Sequence, residues 1–408
     1  MLRRAFCVFC LLLVTRVWSA EPSLFLISLD GFRWDYLAQY AAETPHLRAL
    51  AAEGVRAERM ISCFPTLTFP NHYSIVTGLR PEDHGIVNNT FFDPVRNARF
   101  NYKKHECAID GRWWGGEPVW ITAVKQGRRS ACLFWPGSEA VIGGFGPTYH
   151  RTFDGSLTSA QRVDGLLAWL DLPPDRRPSF CTLYLDVVDH AGHDFGPDSP
   201  ETAAAVRDVD AAVGRLLDGL AARGQRAAAD IVIISDHGMA AITDRHVVFL
   251  DDLIPLSGIQ IECLGTQAGL RATTDSPAAL LARLRPLLPD HLHAYVREEV
   301  PERFHYRNNP RIPPVLIFAD EGWEISTHAS AEKRTKPERG DHGYDNQLIS
   351  MGATFIAWGP AFRHGLVIPP FENIEIYDLL CAVLHLKPAP NDGDDRLARA
   401  ILAVSPAP

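Results

Sequence analysis

The sequence predicts an α/β fold in which a mostly parallel central sheet is flanked by helices. Three short apolar runs, residues 24–29, 181–188 and 230–235, have the length and composition of strands buried on both faces. Segments that begin with helix-capping residues lie between these runs. Strands that alternate with helices along a chain are typical of a parallel sheet.

The first half of the chain contains one predicted strand and two predicted helices. The strand at residues 24–29 leads into Asp30. Thr44 and Pro45 have the residue types that favour the N-cap and first position of a helix, which we expect to end at Gly54. A second, short helix is predicted to start near Pro70, after Thr68, and to end at Gly78.

The second half begins with the strand at residues 181–188, which leads into Asp189. Ser199 and Pro200 predict the start of a long helix that ends near Gly224. The strand at residues 230–235 follows and leads into Asp236. Residues 240–339 are less regular and rich in Pro and Arg, and we interpret them as an inserted subdomain that precedes His342.

The composition is that of a globular protein. The chain has 408 residues, 46% of them hydrophobic, and a formal net charge of -9. No basic run offers a track for phosphates, so binding to nucleic-acid duplexes is not expected.

The N-terminus predicts export to the periplasm or the medium. Arg3 and Arg4 precede an apolar run at residues 5–14, and small Ser19 could be the cleavage position, so residues 1–19 resemble a signal peptide. An uncleaved anchor is the alternative. After cleavage we expect no stable membrane insertion, because no second long apolar run follows. Export permits disulfides, but Cys132 and Cys181 lie in apolar strand-like runs where buried free thiols are expected.

Several polar residues have types and positions that suit a metal site. Asp189 and His193 are four apart, which places them on one face if that segment is helical. Adjacent Asp236 and His237 follow a buried strand, where polar groups need a partner or a metal. Asp30 and His342 are the other candidate metal ligands. The alternative role of Asp30 is to cap the next segment, and His342 could be an ordinary surface or core histidine.

Aspartate oxygens and histidine nitrogens suit Zn²⁺, and the lack of nearby cysteine argues against a purely structural zinc site. Thr68 is a candidate nucleophile, because a metal can deprotonate a hydroxyl without a neighbouring base. Its alternative role is that of N-cap to the following helix.

The motifs around these residues occur in order along most of the chain. They are Ile27-Ser-Leu-Asp-Gly-Phe-Arg33, Phe64-Pro-Thr-Leu-Thr-Phe-Pro-Asn-His-Tyr-Ser-Ile-Val-Thr-Gly-Leu79, His84-Gly-Ile-Val-Asn-Asn89, Trp113-Trp-Gly-Gly-Glu-Pro-Val-Trp120, Phe134-Trp-Pro-Gly-Ser-Glu139, Asp189-His-Ala-Gly-His-Asp-Phe-Gly-Pro197, Ser235-Asp-His-Gly-Met239 and Gly340-Asp-His-Gly-Tyr344. Together they resemble the nucleotide pyrophosphatase/phosphodiesterase family of the alkaline phosphatase superfamily, most of all its compact bacterial members. This resemblance implies an alkaline phosphatase-like fold and a single catalytic domain over residues 20–408.

The resemblance also implies a two-zinc site. One zinc would be held by Asp30, Thr68, Asp236 and His237, and the other by Asp189, His193 and His342. Thr68 matches the nucleophile of the family, whereas nearby Thr66 has no implied role. Asn89 matches a residue that contacts a phosphoryl oxygen of the substrate. Phe69 and Tyr184 match aromatic residues of the nucleotide base pocket, and Phe153 stands where relatives often have tyrosine.

The expected activity is hydrolysis of phosphodiester and pyrophosphate bonds of nucleotides through a covalent threonine intermediate, which releases a nucleoside 5'-monophosphate. Two alternatives remain: a phosphodiesterase of choline phospholipids or lysophospholipids with the same metals, and a zinc-stabilised binding protein without catalysis. A sulfatase is not expected, because Cys63-Phe-Pro-Thr-Leu67 has leucine where a sulfatase requires arginine.

Overall fold

A computed structural model describes residues 23–404, so the predicted signal segment lies outside the described residues. The central sheet has eight strands. In spatial order they are Leu366–Ile368, Val55–Ala57, Phe355–Trp358, Ala229–Ile234, Ser23–Leu29, Phe180–Leu185, Ser130–Leu133 and Tyr149–Arg151. Only Phe355–Trp358 runs antiparallel to its neighbours within this sheet. The predicted mostly parallel sheet is confirmed.

Both faces of this sheet are covered by apolar side chains. In the Ser23–Leu29 strand, Leu24 and Leu26 belong to one core cluster, whereas Phe25, Ile27 and Leu29 belong to another. Successive side chains of a strand point to opposite faces, so a strand buried on both sides appears as a continuous apolar run. This is why three of its eight strands, Ser23–Leu29, Phe180–Leu185 and Ala229–Ile234, were recognisable in the sequence.

On each face of the sheet, helices contribute the remaining side chains of the core cluster. Thr68–Thr77, Val119–Lys125 and Ile376–Val383 pack on one face, and Pro45–Glu53, Ser159–Leu170 and Pro200–Ala222 pack on the other. The remaining α-helices in the described part of the chain are Tyr36–Gln39, Pro81–His84, His105–Ala108, Val187–Phe195, Leu250–Leu253, Pro277–Leu284, His328–Ala331 and Arg396–Ile401.

Two predicted boundaries near the site are wrong. The short helix begins at Thr68 itself and not near Pro70. The second strand ends at Leu185, and a helix over Val187–Phe195 follows, so Asp189 lies in the first turn of a helix and not at a strand end. Val187 and Val188 are apolar like the strand, but Asp186, which lies between strand and helix at the N-cap position, was an available signal of the boundary.

The helix starts at Thr44 and Ser199 fall where they were predicted. Ser199 accepts a hydrogen bond from the backbone N–H of Thr202. Thr44 occupies the N-cap position, but its hydroxyl donates to the Tyr40 carbonyl oxygen and does not cap the helix.

Residues 240–339 are more regular than their sequence indicates. They contain an antiparallel sheet of four strands in the order Ile259–Cys263, Gln267–Ala272, Val315–Ala319 and Leu292–Val296. The helix Pro277–Leu284 packs in an apolar cluster of this segment. Ile259–Cys263 and Gln267–Ala272 form a hairpin, but the other strand pairs are joined by long connections, so the local pattern gave little sign of the sheet.

Four short strand pairs complete the described structure: Ala240–Ala241 with Gly340–Asp341, Val247–Phe249 with Glu324–Ser326, Met60–Ile61 with Phe371–Glu372, and Thr90–Asp93 with Ala98–Asn101. The first pair joins the two ends of the inserted segment, because Ala240 is paired with Asp341. The chain therefore returns close to His237 before it reaches His342. The assignment of one domain to residues 20–408 stays a prediction.

The six cysteines of the described part are all free, and Cys132 and Cys181 are buried as expected. Within residues 23–404, no helix has both the length and the apolar character needed to cross a bilayer.

Candidate metal and nucleophile site

Three aspartates meet at the carboxyl edge of the central sheet. Asp30 directly follows the strand Ser23–Leu29, and Asp236 lies two residues after the neighbouring strand Ala229–Ile234. Asp189 lies in the helix after Phe180–Leu185, the strand on the other side of Ser23–Leu29. This edge is where ligands of open parallel sheets bind. Gly31 allows the close approach, since it has a φ of +67° and a Cβ there would lie 2.9 Å from the Asp189 Cα.

Each of these buried carboxylates has one oxygen without a hydrogen-bond partner in the described structure: Asp30 Oδ1, Asp189 Oδ1 and Asp236 Oδ2. Burial raises the pKa of Asp30 well above its usual range, and the charges of Asp236 and Asp189 raise it further. Buried carboxylates that crowd together without partners are costly unless a cation neutralises them. The unpartnered oxygens therefore fit a metal site.

Three histidines present a single nitrogen to this cluster. Their Nδ1 atoms lie within hydrogen-bonding distance of backbone carbonyl oxygens: His193 of Gly340 (2.8 Å), His237 of Gly238 (2.9 Å) and His342 of Thr66 (2.8 Å). A carbonyl oxygen only accepts, so each Nδ1 carries a proton, and each ring has its Nε2 lone pair available for a metal when it is in the neutral form. This is the second-shell arrangement typical of metal-binding histidines.

The Nε2 atoms face the unpartnered carboxylate oxygens. His237 Nε2 lies 3.4 Å from Asp30 Oδ1 and 3.0 Å from Asp236 Oδ2. Asp189 Oδ1 lies 3.5 Å from His193 Nε2 and 3.6 Å from His342 Nε2. The six side chains thus form one cluster.

The two predicted ligand sets are in direct contact with each other. The rings of His237 and His342 are stacked with centroids 3.5 Å apart. Ligand atoms of Asp189, His237 and His342 also lie within 4.8 Å of one another, although His237 was predicted to serve the other metal. The division into four and three ligands therefore stays a prediction.

Thr68 lies beside this cluster with its side chain half-buried. Its Oγ1 is 3.3 Å from His237 Nε2. The N-cap position of its helix is held by Leu67, and Thr68 is the first helical residue, so the alternative that Thr68 is the N-cap is wrong. The helix N-terminus favours negative charge at this hydroxyl.

Asn89 is tied to the residue that follows Thr68. Its Oδ1 accepts a hydrogen bond from the backbone N–H of Phe69 (3.0 Å). This contact orients the amide, so that the Nδ2 group is the one available to donate to a ligand. A neutral donor is therefore held next to the candidate nucleophile.

Aromatic side chains lie on two sides of the cluster. Tyr184 donates a short hydrogen bond to Asp30 Oδ2, and its ring lies 6.4 Å from that of Phe153. Phe153 is 49% exposed, so it is not part of the buried core. Phe69 is partly buried and its ring contacts Tyr102 at 5.3 Å.

Two residues near the site were not singled out from the sequence. His72 Nδ1 lies 3.3 Å from Asp236 Oδ2, and its Nε2 lies 2.7 Å from Ser28 Oγ. Its spacing of four residues from Thr68 on one helix was the available signal. Tyr102 had no comparable signal, because it reaches Phe69 only through the turn after the Ala98–Asn101 strand.

Cys63, the position considered for a sulfatase nucleophile, does not suit that role. The thiol is buried and lies 3.2 Å from Asn373 Oδ1. Burial raises the pKa of Cys63 to about 12, so it stays a protonated thiol at neutral pH.

His84, the last residue of the helix Pro81–His84, is buried, and we expect it to make the fold sensitive to acid. Its Nδ1 accepts from the Ile86 N–H (3.1 Å), and Nε2 contacts Ser74 Oγ (3.0 Å). Burial lowers the pKa of His84 to about 3, against about 6.5 in an unfolded chain. The unfolded state therefore binds this proton more readily, and we expect its contribution to stability to fall as pH drops below about 6.5, by up to about 1.4 kcal/mol per pH unit.

The measurement for His84 is urea unfolding between pH 7 and pH 4.5. His84→Gln cannot take up a proton, so its free energy of unfolding should depend less steeply on pH than that of the wild type. Equal pH slopes for the two proteins would contradict the assignment.

The fold and the site define an α/β protein whose buried aspartates and histidines could hold a metal ion. A family model described as type I phosphodiesterase/nucleotide pyrophosphatase matches residues 24–345. The chain is also 40% identical to an uncharacterised pyrophosphatase/phosphodiesterase of Schizosaccharomyces pombe over 91% of its own length and 79% of that protein. The protein therefore belongs to the type I phosphodiesterase/nucleotide pyrophosphatase family.

Animal relatives agree with this membership. Human ectonucleotide pyrophosphatase/phosphodiesterase family member 1 is 38% identical over 91% of this chain, which spans only 41% of that protein. The solved structure of mouse ectonucleotide pyrophosphatase/phosphodiesterase 5, as an inactive threonine-to-alanine variant in complex with AMP, has a TM-score of 0.88 and 33% identity. That match covers 94% of this chain and all of the mouse chain. The expected fold and family are confirmed.

Proposed function

We propose that this protein hydrolyses phosphodiester and pyrophosphate bonds of nucleotides, with Thr68 as nucleophile, and releases a nucleoside 5'-monophosphate. The observation that carries the proposal is the position of the Thr68 hydroxyl. It lies at a helix N-terminus, 3.3 Å from His237 Nε2 and beside the unpartnered carboxylate oxygens. The mouse relative offers support, since its threonine-to-alanine variant is inactive and contains AMP.

We assign two Zn²⁺ ions to the cluster, because aspartate oxygens and histidine nitrogens are suitable zinc ligands. Asp30, Thr68, Asp236 and His237 would hold one ion, and Asp189, His193 and His342 the other. Bound zinc would supply Lewis acidity, which lowers the pKa of a coordinated hydroxyl and offsets charge on phosphoryl oxygens.

The protein's own groups then carry the reaction. Thr68 Oγ1 loses its proton to solvent and attacks phosphorus, so that a bond from oxygen to phosphorus forms. The bond to the leaving group breaks, and the leaving group departs with the bonding electrons. The Asn89 Nδ2 group donates a hydrogen bond to a nonbridging oxygen, where charge accumulates. Water then attacks the same phosphorus, which releases the nucleoside monophosphate and restores the Thr68 hydroxyl.

A neutral donor suits a diester better than a monoester. The transferred group of a monoester has an additional negative charge, for which an arginine fork is the more suitable partner. Asn89 provides no charge, and its amide is already oriented by the Phe69 N–H. We therefore assign diesters and anhydrides as the substrate class.

We assign the nucleotide base to the aromatic side chains next to the cluster, Phe69, Tyr184 and Phe153. Phe69 adjoins the nucleophile in the chain, and Phe153 exposes about half of its surface near Tyr184. An exposed ring beside a polar cluster is suited to stacking with a planar base.

The competing substrate class is choline phospholipids, and paired chromogenic esters separate the two. We expect the nitrophenyl ester of thymidine monophosphate to be hydrolysed with a kcat/KM at least about 10-fold above that of nitrophenyl phosphocholine, as stacking of one base contributes about 1–3 kcal/mol. Phe153→Ala should reduce this preference, whereas Phe195→Ala, which removes another exposed ring, should leave it unchanged. Turnover of the phosphocholine ester alone would overturn the nucleotide assignment.

We also propose export to the periplasm or medium, on the basis of Arg3, Arg4 and the apolar run at residues 5–14. N-terminal sequencing of the mature protein tests it. A start near residue 20 is the expected result, and an intact N-terminus in the cytoplasm is the opposing one.

A further inference from the structure

The loop that carries Asn89 is held by a segment of the insertion, which we call the clamp (residues 306–311). Tyr306 is fully buried, and its hydroxyl donates to the Val87 carbonyl oxygen at 2.8 Å. Val87 lies two residues before Asn89. The backbone that sets the direction of the Asn89 side chain is thus fixed by a residue far away in the sequence.

Glu82 binds the clamp at the base of the same loop. Its Oε2 accepts from the backbone N–H groups of Arg307 (2.7 Å) and Asn308 (2.8 Å). The Glu82 carbonyl oxygen also accepts from Asn309 Nδ2 at 2.8 Å. Hydrogen bonds to a buried carboxylate are among the stronger ones in proteins, so the clamp and the loop are fixed relative to each other.

Arg311 joins the two sides of the loop. Its Nη1 donates to the Gly85 carbonyl oxygen (2.8 Å), before Asn89, and its Nε donates to Asp93 Oδ2 (2.9 Å), after Asn89. Gly85 has a φ of +80°, and a Cβ there would lie 2.7 Å from Arg311 Nη1. Glycine is thus required both for the conformation and for the approach of the guanidinium.

The Asn89 end of the loop contacts the backbone next to the proposed nucleophile. Asn89 Oδ1 accepts from the Phe69 N–H at 3.0 Å, and Phe69 follows Thr68. A continuous path of contacts therefore runs from the Tyr306 hydroxyl through Val87 and Asn89 to the backbone next to Thr68.

We infer that Tyr306 is a positioning residue for phosphoryl transfer, which acts by holding the Val87 carbonyl and thereby the Asn89 amide. The inference rests on the proposed role of Asn89. A hydrogen-bond donor aimed at a developing charge loses much of its effect when it is displaced by a fraction of an ångström. The clamp is thus part of the catalytic geometry, although it does not touch the substrate.

The test is a double-mutant cycle on the nitrophenyl ester of thymidine monophosphate. Tyr306→Phe removes only the hydroxyl, and we expect kcat to fall about 10-fold with KM nearly unchanged, the pattern of a contact made in the transition state. In an Asn89→Ala background, the same substitution should lower kcat less than about 2-fold, because the group it positions is absent.

The matched control is Tyr377→Phe, which removes another buried tyrosine hydroxyl whose partners are Thr122 and the Ala389 N–H. It should leave kcat unchanged. If Tyr306→Phe does not fold, Arg311→Lys tests the same loop, since lysine keeps the charge but cannot reach both Gly85 and Asp93.

The outcomes separate this inference from the proposed function. Equal losses from Tyr306→Phe in both backgrounds, or no loss in the wild type, overturn the positioning role alone. Unchanged turnover in Asn89→Ala overturns the proposed role of Asn89 together with this inference.

Discussion

Thr68→Ala will abolish phosphodiester turnover, with kcat lowered by at least about 10³-fold. The substitution removes the only side-chain oxygen proposed to bond to phosphorus, while the helix that starts at this position can still form, since Leu67 and not Thr68 is its N-cap. We expect metal content and thermal stability to stay close to those of the wild type. Steady-state kinetics on a nitrophenyl nucleotide ester and elemental analysis of the same preparation are the measurements.

Two further variants test whether the loss of turnover is due to the Thr68 hydroxyl itself. Thr68→Ser keeps a hydroxyl and should retain measurable turnover. Thr66→Ala removes the neighbouring hydroxyl, which donates to the Tyr344 carbonyl oxygen (3.0 Å), and should keep kcat within about 10-fold of the wild type because its loss is structural. Mass spectrometry of protein quenched during turnover should find the nucleotidyl group on Thr68. Turnover at the wild-type rate in Thr68→Ala would refute Thr68 as the nucleophile.

Removal of metal by a chelator will also abolish turnover, and it will lower the free energy of unfolding. Three buried carboxylates, those of Asp30, Asp189 and Asp236, would then face one another without a cation. A metal held at about a thousand times its dissociation constant stabilises the native state by about 4 kcal/mol. Urea unfolding before and after chelation, and after addition of Zn²⁺, measures this difference.

Asp189→Asn and Asp194→Asn provide a matched pair for the metal prediction, since both lie in the helix Val187–Phe195. Asp189 has an unpartnered oxygen in the cluster, whereas Asp194 pairs with Lys336 at the surface. We expect Asp189→Asn to lose about one equivalent of metal and at least about 10²-fold in kcat, as is found when a metal's coordination is disrupted. Asp194→Asn should bind metal as the wild type does. Full activity in the metal-free wild type would exclude a metal-dependent reaction.

The strands that position the site could be predicted because burial of both faces is reflected in the apolar composition of the strand residues themselves. Strands with both faces covered are apolar at most positions, so the runs before Asp30 and Asp236 were visible without a structure. The start of the helix at Val187 was missed because Val187 and Val188 suit a buried strand as well as a buried helix, although Asp186 at the N-cap position was an available signal. Its effect on the site is direct, since the helical turn brings His193 Nε2 within 3.5 Å of Asp189 Oδ1.

The inserted segment shows a second limit of the sequence. Apart from the hairpin of Ile259–Cys263 with Gln267–Ala272, the strands of its antiparallel sheet pair across long connections, and such pairing has little local signature. The pairing of Ala240 with Asp341 is equally non-local, yet it returns the chain so that His342 stacks on His237. The clamp of Tyr306 on Val87 belongs to the same class of contacts.

The sequence by itself determined the family, the α/β class and the residue types at the site, because strand burial, helix caps and short motifs are properties of neighbouring residues. The tertiary structure alone decided how these residues meet. A backbone carbonyl oxygen binds the Nδ1 of each histidine, as that of Thr66 does for His342, and this contact directs Nε2 toward the aspartates. The same packing leaves one oxygen of each aspartate without a hydrogen-bond partner. Such contacts join residues distant in the chain and depend on ångström-scale packing, which no local pattern encodes.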